Sequence, residues 1–280
     1  MPEPILRGED ERAWDAWMKV VRMHGRTRAF AHAVDRARRV AGDELARAER
    51  PSVSWSGGKD STVLTRLVAS IGHPSLVVVS EKDDLDFPGE EGYVRALAAE
   101  WSIDLRILRP PVSPRAWIEA HARGMAGCED VHGRAAGLSK ACFYGVMAKA
   151  DEGRDLVFLG LRAGESGIRR GLIETRGVAY DLRGYASRHP GERQRRCNAI
   201  GHWRGVDVYA YAEAHAIPLL PVYRCIGWLP ETRTRPWLIR KSWWLPGAHA
   251  ANGQAAWLRH YYPSLWAVFR GWFGDAAAYA

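Results

Sequence analysis

Cysteine is scarce in this 280-residue chain: there are four, Cys128, Cys142, Cys197 and Cys225, and no two of them form a C-x-x-C pair. That spacing argues against a zinc ribbon and a dense disulfide framework, so any sulfur chemistry rests on single thiols. Long hydrophobic runs are missing as well. No stretch of about 18 consecutive apolar residues occurs, so the sequence offers no candidate membrane-spanning helix. The first residues, Met1-Pro2-Glu3-Pro4 with Arg7 and Glu9-Asp10-Glu11 behind them, lack the basic-then-apolar order of a signal peptide. The expectation is a cytoplasmic protein with no membrane partner. Internal repeats and low-complexity tracts are also absent.

Acidic residues are outnumbered, 32 against 40 Lys and Arg, which leaves a formal net charge of +8. That balance permits an anionic partner, a nucleotide or a nucleic acid, without choosing between them, because an enzyme that only holds ATP also needs several cations. With 47% hydrophobic residues the chain can bury one large α/β core.

Trp14, Trp17, Met18, Val21, Phe30, Val34 and Ala41 recur at helical spacing, so residues 9–49 read as two or three amphipathic helices. Ser52–Trp55, Leu76–Val79, Leu105–Leu108 and Leu156–Leu159 read as short buried strands alternating with helices, which predicts an α/β fold with a doubly wound parallel sheet. Residues 162–196 hold nine arginines against four acids and little periodicity, and read as a long loop over the sheet edge. Val206–Ala216 reads as a further helix. The tail from Gly227 carries seven tryptophans. The expected organisation is a helical prefix (1–50), a nucleotide-binding domain (51–226) and a Trp/Arg-rich subdomain (227–280).

Between the first strand and its helix lies Ser56-Gly57-Gly58-Lys59-Asp60-Ser61. Glycines allow a tight turn and close approach to an anion, and the helix start offers free N–H donors and the positive end of the dipole. Lys59 adds a point charge, Ser56 and Ser61 add hydroxyls, and Asp60 is the candidate magnesium ligand. The Walker A spacing is not met, because Val53 stands five residues before Gly58.

These residues resemble the PP-loop ATP pyrophosphatases, of adenine nucleotide alpha hydrolase-like fold, and within them the phosphoadenosine phosphosulfate reductase-like branch. Besides the loop, the resemblance rests on Asp86-Phe87-Pro88-Gly89-Glu90 entering a helix, on Cys142 in Lys140-Ala141-Cys142-Phe143, and on Gly160-Leu161-Arg162-Ala163-Gly164-Glu165-Ser166 with Arg169 and Arg170. A weaker echo is Trp203-Arg204-Gly205-Val206-Asp207-Val208-Tyr209 with Ile217-Pro218 and Tyr223. It spans about residues 50–225.

The resemblance implies ATP and Mg2+ as cofactors, with ATP cleaved to AMP and pyrophosphate as an acceptor is adenylated. Lys59, Asp60, Cys142, Arg162 and Glu165 are then the catalytic candidates, and Ser56, Gly57, Gly58, Lys59, Ser61, Arg162 and Arg169 the nucleotide-binding ones. Sulfonucleotide reductases of this branch depend on a C-terminal Cys-Gly-x-His-type segment, whereas here no cysteine follows Cys225. ATP is therefore expected over phosphoadenosine phosphosulfate. The chain is also similar to the PP-loop sulfurtransferase of DNA phosphorothioation systems, which implies a DNA or RNA acceptor and a sulfur-donor protein. Sulfonucleotide reduction and a non-catalytic nucleotide-binding subunit are the alternatives. Cys142 has three open roles: persulfide carrier, ligand of an iron–sulfur cluster with the other cysteines, or inert core residue. The tail indoles and cations either stack on bases or pack into a core.

Overall fold

The computed structural model describes residues 3–121, 142, 144–182, 194–239, 255–273 and 275–279. Two helices lead: α1 (Gly8–Gly25), with Glu9, Asp10 and Glu11 in its dipole-favoured first turn, and α2 (Arg28–Leu45), capped by Thr27, whose Oγ1 accepts from Phe30 N at 3.2 Å. The core unit then runs β1 (Pro51–Ser54), α3 (Lys59–Ile71), β2 (Val77–Glu81), α4 (Glu90–Glu100), β3 (Leu105–Leu108), α5 (Pro114–His121), α6 (Tyr144–Asp151) and β4 (Leu156–Leu159). After it come α7 (Gly167–Arg176), β5 (Ala179–Asp181), β6 (Arg195–Cys197), α8 (Gly205–Ala214), α9 (Pro230–Thr234), α10 (Ala255–Tyr261) and α11 (Pro263–Trp272).

The six strands form one sheet in the order β3-β2-β1-β4-β6-β5. All pairings are parallel except β5 with β6, which is antiparallel. The predicted parallel, doubly wound sheet is present, with one antiparallel edge strand added. Strand alternation assigns the two faces. Val53, Val78, Phe158 and Cys197 face the buried core, while Ser52, Ser54, Val79, Val157 and Arg196 line a cavity on the other side.

Residues 162–196, expected as a long loop, instead contain α7, β5 and the start of β6. Ser166 starts the helix by accepting from Arg169 N at 3.2 Å, and Gly177, at φ 77°, ends it. Three-residue strands show no periodicity, so the sequence pattern could not reveal β5 or β6.

The tail is tied into the core. Trp257 and Trp266 are buried, Trp257 Nε1 donates to the Cys225 carbonyl at 3.2 Å, and Trp228 stacks on His260 at 4.5 Å. Of the two readings of the tail indoles, packing is the one these residues follow; Trp243 and Trp244 lie outside the described residues. Asp10, at 0% exposure, joins the chain ends. Its Oδ1 accepts from Gly227 N at 2.7 Å and from Tyr261 Oη at 2.5 Å, and its Oδ2 accepts from Arg7 N at 2.9 Å. Gly227 has no room for a side chain, since a Cβ there would lie 2.5 Å from Asp10 N.

Replacing Asp10 strands two buried donors at once. Asp10→Ala is expected to cost roughly 2–4 kcal/mol of unfolding free energy, read as a lower urea midpoint with an unchanged m-value.

Candidate active site

The sheet order reverses at β1, whose neighbours are β2 and β4, and in open α/β sheets ligands bind beyond the strand C-termini at such a switch point. The Ser56–Ser61 loop leaves β1 there. Trp55, buried, anchors its start by donating from Nε1 to Thr62 Oγ1 at 2.9 Å. Gly57 takes the left-handed conformation at φ 81°, and Gly58 is the N-cap of α3. The two serine hydroxyls meet across the turn at 2.9 Å, and Ser61 Oγ also donates to the Gly58 carbonyl at 3.0 Å.

Lys59 and Asp60 open the helix, and both are more enclosed than a solvated phosphate site would leave them. Lys59 is 4% exposed. Its ammonium lies 3.0 Å from Asp60 Oδ2, donates to the Ile239 carbonyl at 3.3 Å and sits 5.2 Å over the Tyr223 ring. Its backbone N–H donates to Tyr223 Oη at 2.8 Å. The chain's own later segment thus occupies donors that an anion would use.

The other oxygen of Asp60 accepts from Arg162 Nε at 2.5 Å. Arg162 follows β4, is 2% exposed, and donates from Nη1 to the Trp203 carbonyl at 3.3 Å. Glu165 holds this turn: its Oε2 accepts from Arg162 N at 2.8 Å and pairs with Arg169 Nη1 at 2.5 Å. β4 approaches the loop closely at Gly160, where a Cβ would lie 2.9 Å from Ser61 N. Ser56, Gly57, Gly58, Lys59, Asp60, Ser61, Arg162, Glu165 and Arg169 therefore form one connected constellation.

Burial desolvates Asp60 and raises its pKa, but the Lys59 and Arg162 charges and hydrogen bonds outweigh that and hold it below the ordinary carboxylate value. Tyr223 is pushed the other way, well above the usual phenol range by burial, so its hydroxyl stays protonated. One Asp60 oxygen is on Arg162 and the other on Lys59, so a magnesium ion held by Asp60 would share an oxygen with one of these cations or be reached through water.

Cys142 is buried, and its thiol is pushed up first by burial and then by the carboxylates of Asp83 and Asp84 in the turn after β2. That environment opposes a thiolate. Cys197 lies in the core with its thiol raised to about 12 by burial, and Cys225 is buried with its thiol raised for the same reason. Cys128 is outside the described residues. Among the described residues no group of three or more His, Cys, Asp or Glu side chains is placed to hold a metal, so nothing there supports the iron–sulfur reading.

The site includes residues the sequence reading did not single out. Tyr223 belonged only to a weak echo, and the Ile239 carbonyl had no signal at all. Lys82, 1% exposed at the end of β2, pairs with Glu90 and donates to the Ser56 carbonyl at 3.3 Å. On the sheet face away from the buried core, a cavity of about 190 Å³ is lined by Ser52, Ser54, Val79, Glu81, Val157 and Leu159 of β1, β2 and β4, with Ala150, Asp151 and Arg196; none of residues 56–61 lines it.

A sequence profile of the phosphoadenosine phosphosulfate reductase domain matches residues 50–232. A phosphoadenosine 5'-phosphosulfate reductase of Xanthomonas campestris pv. campestris is 27% identical over 190 residues, covering 62% of this chain and 66% of its own length. Sulfate adenylyltransferase subunit 2 of Nocardia farcinica is 28% identical over 198 residues, 65% of this chain and 61% of its own. The chain thus spans just under two thirds of the length of these curated relatives. Among solved structures, the FMN adenylyltransferase of Candida glabrata superposes with a TM-score of 0.50 at 13% identity, covering 78% of this chain and 68% of that one, a likeness of fold.

Because Asp60 is depressed in the folded state, the stability it contributes is fully present above its ordinary value of 3.8 and is lost as pH falls below that value. Asp60→Asn is expected to be less stable than the parent at neutral pH and to lose less stability between about pH 4 and pH 2. Urea midpoints measured across that range check it.

Proposed function

Since this chain belongs to the phosphoadenosine phosphosulfate reductase domain family, we propose that it binds ATP on the Ser56–Ser61 loop, cleaves it between the α and β phosphates and passes the adenylyl group to an acceptor. The observation that carries this reading is the Lys59–Asp60–Arg162 cluster at the loop's mouth. It sets two buried cations about one carboxylate where a helix N-terminus adds its own donors. Departure of pyrophosphate concentrates negative charge, and preorganised cations in a water-poor site stabilise it at no reorganisation cost.

Each side chain then has a task. Lys59 exchanges the Ile239 carbonyl for a phosphate oxygen. Arg162, fixed by Asp60 and the Trp203 carbonyl, presents its remaining guanidinium N–H groups to the phosphate or the adenylated intermediate. Glu165 keeps Arg162 and Arg169 in register. Magnesium, where it accompanies the nucleotide, supplies charge neutralisation to the phosphates.

The narrower form of the proposal is sulfur transfer to a nucleic acid. The net charge of +8 is compatible with an anionic acceptor. The Cys142 thiol, pushed up by burial, favours a sulfur donor that brings its own thiolate. The second reading, sulfonucleotide reduction, is favoured by the name of the Xanthomonas relative.

Isothermal calorimetry separates the two. ATP is expected to bind more tightly than phosphoadenosine phosphosulfate, and Lys59→Ala is expected to lower ATP turnover by about 100-fold or more. The reverse ranking of ligands selects the reductase. A Lys59→Ala protein with full turnover removes the loop from catalysis.

A further inference from the structure

The acidic turn Glu81-Lys82-Asp83-Asp84 hides a cation. Lys82 is 1% exposed and Glu90 0% exposed, yet they form an ion pair, with Asp86 3.5 Å from the same ammonium. Removing two charges from water is expensive, and apolar replacements of such pairs are often as stable or more so, so the pair is poor evidence for stability as its purpose. Its location is more informative, because both partners touch the phosphate loop. The Lys82 ammonium donates to the carbonyl of Ser56 at 3.3 Å. Glu90 lies against Gly57 so closely that a Cβ on that glycine would sit 2.7 Å from Oε1.

Peptide geometry turns these contacts into an orientation. In a planar trans peptide the C=O and the following N–H point in opposite directions. A Ser56 carbonyl held inward by Lys82 therefore directs the Gly57 N–H outward, toward the mouth of the loop. Gly57 itself stands at φ 81°, and Glu90, packed beneath it, leaves that turn no room to collapse inward. Glu90 reaches this position because Gly89, left-handed at φ 84°, starts α4 immediately before it.

We propose that the buried Lys82–Glu90 pair is a positioning device for the phosphate loop: Lys82 sets the Ser56–Gly57 peptide with its N–H facing the anion, and Glu90 wedges Gly57 in the left-handed turn. This rests on the reading that the loop binds nucleotide phosphates. Neither residue contacts the nucleotide; both act through the loop backbone.

The test uses Lys82→Met, Glu90→Gln, the double variant and Glu90→Asp, with thermal midpoints beside calorimetric titrations of ATP and of inorganic pyrophosphate. Each of the first two single variants strands a buried charge or its partner and is expected to lower the midpoint. The double variant is expected to recover much of that loss while its affinity for both ligands stays at least tenfold below the parent. Glu90→Asp keeps the charges but withdraws the carboxylate by one methylene, and is expected to fold normally and bind several-fold more weakly. A double variant, or Glu90→Asp, with parental affinity overturns the positioning role and leaves a structural ion pair. Should the double variant fail to fold, Glu90→Asp decides alone. A parent protein that binds pyrophosphate but not ATP overturns the nucleotide reading instead, and the variants are then judged on pyrophosphate.

Discussion

The carboxylate of Asp60 accepts from Arg162 Nε at 2.5 Å while lying 3.0 Å from the Lys59 ammonium, and these contacts join the first strand–helix unit to the end of the fourth strand. Three charges this enclosed persist only as a set. Without Asp60, two cations would face each other in a site of low dielectric; without the cations, a carboxylate would be buried alone. The backbone is shaped to the same end. Gly160 lets β4 pass against Ser61, Glu165 caps the turn that carries Arg162, and the parallel pairing of β1 with β4 sets the register between them.

A second set of contacts brings the rest of the chain to this cluster. Tyr223 Oη takes the first N–H of α3, Tyr209 Oη donates to the Pro236 carbonyl at 3.4 Å, and Trp237 packs on Gly205 where a Cβ would lie 2.3 Å away. The segment from Tyr223 to Ile239 is in turn held by Asp10 through Gly227 and by Trp257 through the Cys225 carbonyl. The first helix and the tail, which look like appendages in the sequence, thus bear directly on the segment that meets Lys59. In this arrangement the Lys59 N–H and ammonium are satisfied by Tyr223 and Ile239, so nucleotide binding as proposed would be an exchange of partners rather than entry into an empty cradle.

The sheet and the loop were legible because each leaves a local signature: short apolar strands, a glycine turn, and a helix start within a few residues. Arg162, Glu165 and Arg169 were picked out by the family resemblance of one short segment. Lys82 was not, because nothing local marks one of four consecutive charged residues as buried, and its burial arises only when α4 returns Glu90 to the loop. The partnership of Tyr223 with Lys59 spans 164 positions and leaves no local trace. The tail was left open. Indoles and cations interleaved in sequence allow a stacking platform or a core, and the burial of Trp257 and Trp266 comes with their packing against Tyr261, Tyr262 and Phe269.

If the Lys59–Asp60–Arg162 cluster serves cleavage of ATP at the α–β bond, the labelled product identifies it. ATP labelled on the γ phosphate, incubated with the intact protein, magnesium and candidate acceptors, is to be followed for labelled pyrophosphate against labelled orthophosphate. Labelled pyrophosphate with matching AMP or adenylated acceptor is expected, and loss of that product in Arg162→Ala. Release of orthophosphate with ADP, or pyrophosphate release that survives Arg162→Ala unchanged, would contradict it.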